Sequence, residues 1–72
     1  MSSQQTYLVE GMTCEHCVKA VTSELSELDG VTAVEVDLNA GGTSSVVVAS
    51  ERALAREAVA AAVDEAGYVL AG

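Results

Sequence analysis

Seventy-two residues allow one domain, near the size at which a single core is only marginally stabilising. Half are hydrophobic, and with no Trp, Phe or Pro their short side chains suit thin layers and exclude an enclosed pocket for a substrate of drug size. The net charge of −8, eleven acids against Lys19, Arg52 and Arg56, argues against nucleic acid and anionic lipid as partners; it favours solubility and, more sharply, steering toward a basic patch on a protein.

Thr6 to Glu10 (TYLVE) predicts a short strand with Tyr7 and Val9 facing inward. Gly11 to Cys14 follows as a loop. From Glu15 the spacing becomes helical: Val18, Val21, Leu25 and Leu28 form one stripe, and Lys19, Ser23, Glu24 and Glu27 lie off it. Gly30 is a stop signal. Strict alternation in Val34-Glu35-Val36-Asp37-Leu38 predicts a half-buried strand. Asn39-Ala40-Gly41-Gly42 is a turn, and a strand over Ser45 to Ala49 completes a hairpin. A second helix is expected from Ser50, its N-cap, with Glu51 in the first turn. Its apolar face is Leu54, Ala58, Val59, Ala62, Val63 and Ala66, and Gly67 ends it. Tyr68-Val69-Leu70 forms the last strand. Val46-Val47-Val48 leaves open which face turns inward.

The order βαββαβ needs a right-handed crossover in each half, with the hairpin joining the halves. The economical solution is an α+β, ferredoxin-like sandwich: an antiparallel four-stranded sheet with both helices on one face. No apolar run approaches a membrane span, and MSSQQTY lacks a basic region followed by an apolar one. The expectation is a cytoplasmic chain with reduced thiols.

The stretch GMTCEHC, Gly11 to Cys17, holds the only two cysteines and the only histidine. A disulfide closing so short a loop would stabilise little. Cys14 ends the loop and Cys17 sits in the first helical turn, so the two sulfurs share nearly one face. A helix N-terminus lowers thiol pKa values and favours negative charge on sulfur. Thr13 is a candidate N-cap. Structural zinc takes four ligands, more than two sulfurs and one imidazole supply, whereas soft thiolates at low coordination number select Cu(I). An exposed two-sulfur site stays open to a third ligand from outside, which suits handing a metal on.

GMTCEHC after a short strand, the helix VKAVTSELSELDGV and the late AGY together resemble the heavy-metal-associated domain, and more narrowly the small copper chaperones of the bacterial cytosol. The resemblance runs from Tyr7 to Leu70 and reads residues 1–72 as one such domain. It implies Cu(I) bound by Cys14 and Cys17. It also implies transfer by thiolate exchange to the N-terminal metal-binding domain of a copper-exporting P-type ATPase, and a copper-responsive regulator is a further partner of the same kind. Such proteins are monomers without metal and can form copper-bridged dimers. Relatives that carry mercury have a signal peptide, and those for zinc and cadmium often have an acid where this chain has Thr13.

Each residue also has a plainer reading. The cysteines could be small buried hydrophobes or a redox couple. Met12 is read as core beneath the loop rather than as a soft ligand. His16, between the cysteines, is read as a solvent-facing imidazole, with an accessory third ligand as the alternative. Tyr68 is read as hydrophobic cover near the metal loop, its hydroxyl close to a sulfur. Arg52 and Arg56 are read as exposed helix residues. Two other functions fit the pattern: a thiol-disulfide redox protein, against which the absence of any Pro for a cis bond stands, and an excised metal-binding regulatory domain of a transporter. The chain starts with Met and ends just past its last strand, so it reads as self-contained, an appearance that an excised domain shares.

Overall fold

A computed structural model describes Ser3 to Gly72. In chain order it has β1 (Ser3–Glu10), α1 (Glu15–Ser26), β2 (Val31–Asp37), β3 (Thr43–Ser50), α2 (Arg56–Glu65) and β4 (Val69–Leu70). The sheet order is β2-β3-β1-β4, antiparallel throughout. The expected ferredoxin-like sandwich is the observed one. None of the described helices is long and apolar enough to cross a membrane.

Pairing settles what the run of valines left open. Tyr7 stands opposite Val46, and Val46 and Val48 stand opposite Val36 and Val34. One face of β3 therefore joins the layer built by Tyr7 and Val9, leaving Val47 half-buried on the other. Against that layer pack Val21 and Leu25 of α1 and Val59, Ala62 and Val63 of α2, all buried. The predicted stripe is intact, with Val18 and Leu28 at its half-buried margins. Ser44 and Ser50 also point into this face and are buried. The Ser44 hydroxyl accepts the Asn39 N–H at 2.9 Å, which braces the β2–β3 turn. No buried side-chain N or O atom among the described residues lacks a partner, as a small core requires.

Several strand ends shift from expectation, with β2 starting at Val31 rather than Val34, β3 running Thr43–Ser50 rather than Ser45 to Ala49 and β4 starting at Val69 rather than Tyr68; two departures are larger. β1 begins at Ser3 rather than Thr6, because Ser3, Gln4 and Gln5 pair with Ser50, Ala49 and Val48. The polar side chains gave no strand period, and the tertiary pairing supplies it. The second helix does not start at Ser50. That residue is the last of β3, 2% exposed and paired to both Ser3 and Val31. Its hydroxyl donates to the Arg52 carbonyl and so bends the chain away from the sheet. The helix starts at Arg56 with Ala55 as N-cap. Arg52 and Leu54 consequently lie in the connecting loop: Leu54 still packs on the core, and Arg52 pairs with Asp29 at 3.0 Å on the surface. Arg56 is an exposed helix residue, as expected.

Candidate metal centre

Three segments meet at one end of the sandwich: the loop after β1, the first turn of α1 and the end of α2. Met12 holds the loop down. Its side chain is fully buried in the core cluster, so the residues on either side can stand at the surface without the loop detaching. Gly11, at φ +99°, is in a region that residues with a Cβ avoid. A Cβ there would also come within 3.3 Å of the Tyr68 ring. Two separate requirements thus ask for glycine at this position.

The N-cap of α1 is Cys14, in extended conformation and with no side-chain capping bond. This corrects the reading of Thr13 as cap. With Cys14 as the half-helical residue, Thr13 lies one position outside, and its hydroxyl turns toward Cys17, with Oγ1 3.8 Å from Sγ. The Cys14 carbonyl accepts from the amides of Cys17 and Val18 at 3.1 and 3.3 Å. The main-chain groups that hydrogen-bond a sulfur are those of Thr13 and Cys14, both onto Cys17.

The two sulfurs are 3.6 Å apart, both thiols are free, and Cys14 is exposed while Cys17 is half-buried. Sulfurs at this separation can bond one ion at metal–sulfur distances of about 2.3 Å. The Cys17 thiol is pulled down from 9.0 to about 6. The largest cause is a hydrogen bond from the Thr13 main chain, followed by the Tyr68 hydroxyl and the Cys14 main chain, against a smaller opposing effect of desolvation. At neutral pH this sulfur is therefore mostly thiolate, the form that attacks and that ligates metal. Tyr68 responds in the opposite sense. Its hydroxyl is harder to ionise, first because it hydrogen-bonds Cys17 and then through burial and the nearby sulfur charges. It stays a neutral donor.

Tyr68 arrives there through the end of α2. Gly67, at φ +93°, donates to the Asp64 carbonyl at 2.9 Å, and Tyr68 donates to Val63 at 3.1 Å. These are the two bonds of a Schellman ending, and they turn the chain so that the half-buried Tyr68 ring lies over Gly11. The Tyr68 hydroxyl is directed at the Cys17 sulfur. His16 is exposed and is not drawn to the pair: among the described residues no three His, Cys, Asp or Glu side chains converge as metal ligands. The glycine–tyrosine contact joins opposite ends of the chain, and spacing alone gives no signal of it.

The heavy-metal-associated domain matches residues 6–69. Over 68 residues the chain is 44% identical to the copper chaperone CopZ of Bacillus subtilis, covering 94% of this chain and 96% of that one. A solved CopZ metallochaperone superposes with a TM-score of 0.82 at 37% identity, covering 96% of this chain and all of the other. The N-terminal domain of a potential copper-translocating P-type ATPase from Bacillus subtilis, in its Cu(I)-loaded state, superposes at 0.77 with 26% identity, covering 97% and 85%. With the family matched over residues 6–69 and a relative 44% identical over 94% of the chain, the chain belongs to the heavy-metal-associated domain family.

Proposed function

We propose that the chain is a cytoplasmic copper carrier, one domain over residues 1–72, that binds Cu(I) through Cys14 and Cys17 and passes it on by ligand exchange. The observation that carries this reading is the pair of free sulfurs 3.6 Å apart at an uncapped helix start. Two thiolates on a monovalent ion leave one net negative charge, which the unpaired amides of the first turn stabilise. The pair is open on the side of Cys14, so an incoming thiolate can join as third ligand before either original sulfur leaves. Copper then moves without ever being free. Met12 fixes the loop, Tyr68 covers the inner sulfur, and His16 faces the approaching partner as an accessory group.

The receiving domain is one of the same family, the N-terminal domain of a copper-transporting P-type ATPase, and a copper-responsive regulator is a second recipient. The similarity to a Cu(I)-loaded ATPase domain supports this choice, since two sites of one design have similar affinity and exchange readily. Carriage rather than catalysis is the activity. The chain is a monomer without metal, and copper in excess bridges two copies through their cysteines.

The test is an anaerobic transfer. The protein carrying one equivalent of Cu(I) is mixed with a metal-free ATPase domain of this family, the two are separated, and copper is measured in each. Redistribution toward equilibrium within seconds is expected. Copper that stays wholly with the donor, or that moves no faster than it dissociates into a chelator, contradicts the reading.

A further inference from the structure

Away from the thiol pair, an open groove of about 300 Å³ runs between α1 and α2. Its floor is Leu28 with Ala58, Ala61 and Ala62; its rim is Glu24, Glu27 and Glu65. The floor exists because α2 places bare methyl groups where larger side chains would close the gap between the helices. Alanine's helix propensity accounts for its use in α2, but it does not account for the rim. Glu24 lies in the last turn of α1 and Glu27 is its C-cap, where negative charge slightly weakens a helix. None of the three cations of the chain lines the groove, and Arg52 is occupied with Asp29 at 3.0 Å. Among the described residues none of the three acids is in a salt bridge. The groove is also shallow and at the small end of the range that encloses small molecules, which favours side chains presented by a protein.

We propose that this groove docks a basic segment of a protein partner, with aliphatic side chains on the alanine floor and lysine or arginine heads on the three carboxylates. Charge selects the occupant. A second copy of this chain carries −8 and meets the rim with like charge, and nucleic acid and anionic lipid are repelled for the same reason. A basic partner is drawn in over a Debye length and held by contact on the floor. The proposal goes beyond metal carriage and is tested on metal-free protein, so its failure leaves that reading standing.

The probe is an amphipathic peptide of about 18 residues made of leucine, alanine and lysine, long enough to span the groove as a helix. Two control peptides accompany it, one with glutamate in place of lysine and one with the same composition in scrambled order. Binding to the reduced, metal-free chain is followed by amide NMR shifts at low salt. Shifts confined to residues 24–28 and 58–65 are expected, with the glutamate peptide silent and the scrambled one weaker. The triple variant E24Q/E27Q/E65Q should weaken binding five- to tenfold, about the sum of three exposed ion pairs. The triple variant E35Q/D37N/E51Q changes the net charge equally and should leave binding within about twofold. Equal loss in both triples would reduce the effect to net charge and overturn the proposal. So would shifts centred on the exposed Leu8 and Val69, or a concentration-dependent dimer whose interface covers the groove.

Discussion

The two helices begin in the same way and do different things. In each, one residue in extended conformation caps the helix with no side-chain bond. Its carbonyl accepts from the third and fourth residues onward, at 3.1 and 3.3 Å in α1 and 3.0 and 3.3 Å in α2. Each has an acid in the first turn, Glu15 and Glu57. The capping residue is Cys14 in one and Ala55 in the other, and the inward anchor just before it is Met12, fully buried, or Leu54, half-buried. What α1 has and α2 lacks is a pair of sulfurs 3.6 Å apart, a loop anchored by a fully buried side chain and a ring packed against that loop; the proposed metal site rests on these and not on the helix dipole.

The largest effect expected is on metal. Cys14→Ser or Cys17→Ser should lower Cu(I) affinity by more than the 10–100-fold typical of losing an outer-layer partner, measured by anaerobic competition with a Cu(I) chelator; Arg56→Ser at the α2 start should leave it unchanged. Anchoring comes next. Met12→Ala should destabilise the fold by about 2–5 kcal/mol and Leu54→Ala by less, in denaturant unfolding; equal losses would remove the contrast between the two loops. Gly11→Ala forces an L residue to φ +99°, a strain of about 1–2 kcal/mol. Gly41→Ala meets a similar strain at φ +78° with nothing within 4 Å, so any excess at Gly11 in the same unfolding measurement reports displacement of Tyr68.

Caps and protons give smaller changes. Ala55→Ser should stabilise the chain by about 1 kcal/mol, and Cys14→Ser should do the same for the metal-free protein while removing its copper site. That pair of outcomes would separate what folding prefers at a helix start from what metal binding needs there. The lowered thiol sets a pH window. Cys17 titrates near 6 in the fold against 9.0 when unperturbed, so the folded state releases this proton first. Its contribution to stability is complete above pH 9, shrinks as pH falls, and is gone below about 6. Alkylation of Cys17 by iodoacetamide should accordingly reach half its limiting rate near pH 6; half-reaction near 9 would show that the Thr13 and Tyr68 contacts do not act on it.

Hydrophobic period carried most of the fold. The α1 stripe and the alternation through Val34 and Val36 came directly from spacing, because in each case one face is buried and the other wet. Ser50 misled because a serine before an acid reads as a helix cap, and only pairing with Ser3 and Val31 reveals it as buried strand. Thr13 misled by one position for a similar reason, since any hydroxyl beside a helix start can cap it and the backbone decides which residue does. At the site, Cys14 and Cys17 were legible because three-residue spacing at a helix start brings sulfurs together whatever the tertiary structure. The contact of Tyr68 on Gly11 and the groove beneath Glu24 and Glu65 need the packed helices, though the alanine-rich run through Ala62 and the acids off the α1 stripe were visible traces of the groove.

Copper K-edge absorption on the reduced protein, loaded anaerobically with one equivalent of metal and no added thiol, tests the central claim most directly. A cuprous edge with two sulfur neighbours per copper, lost in the Cys14→Ser and Cys17→Ser proteins, is the required result. A first shell of nitrogen or oxygen, or a spectrum unchanged when both cysteines are replaced, would show that the metal is held somewhere else.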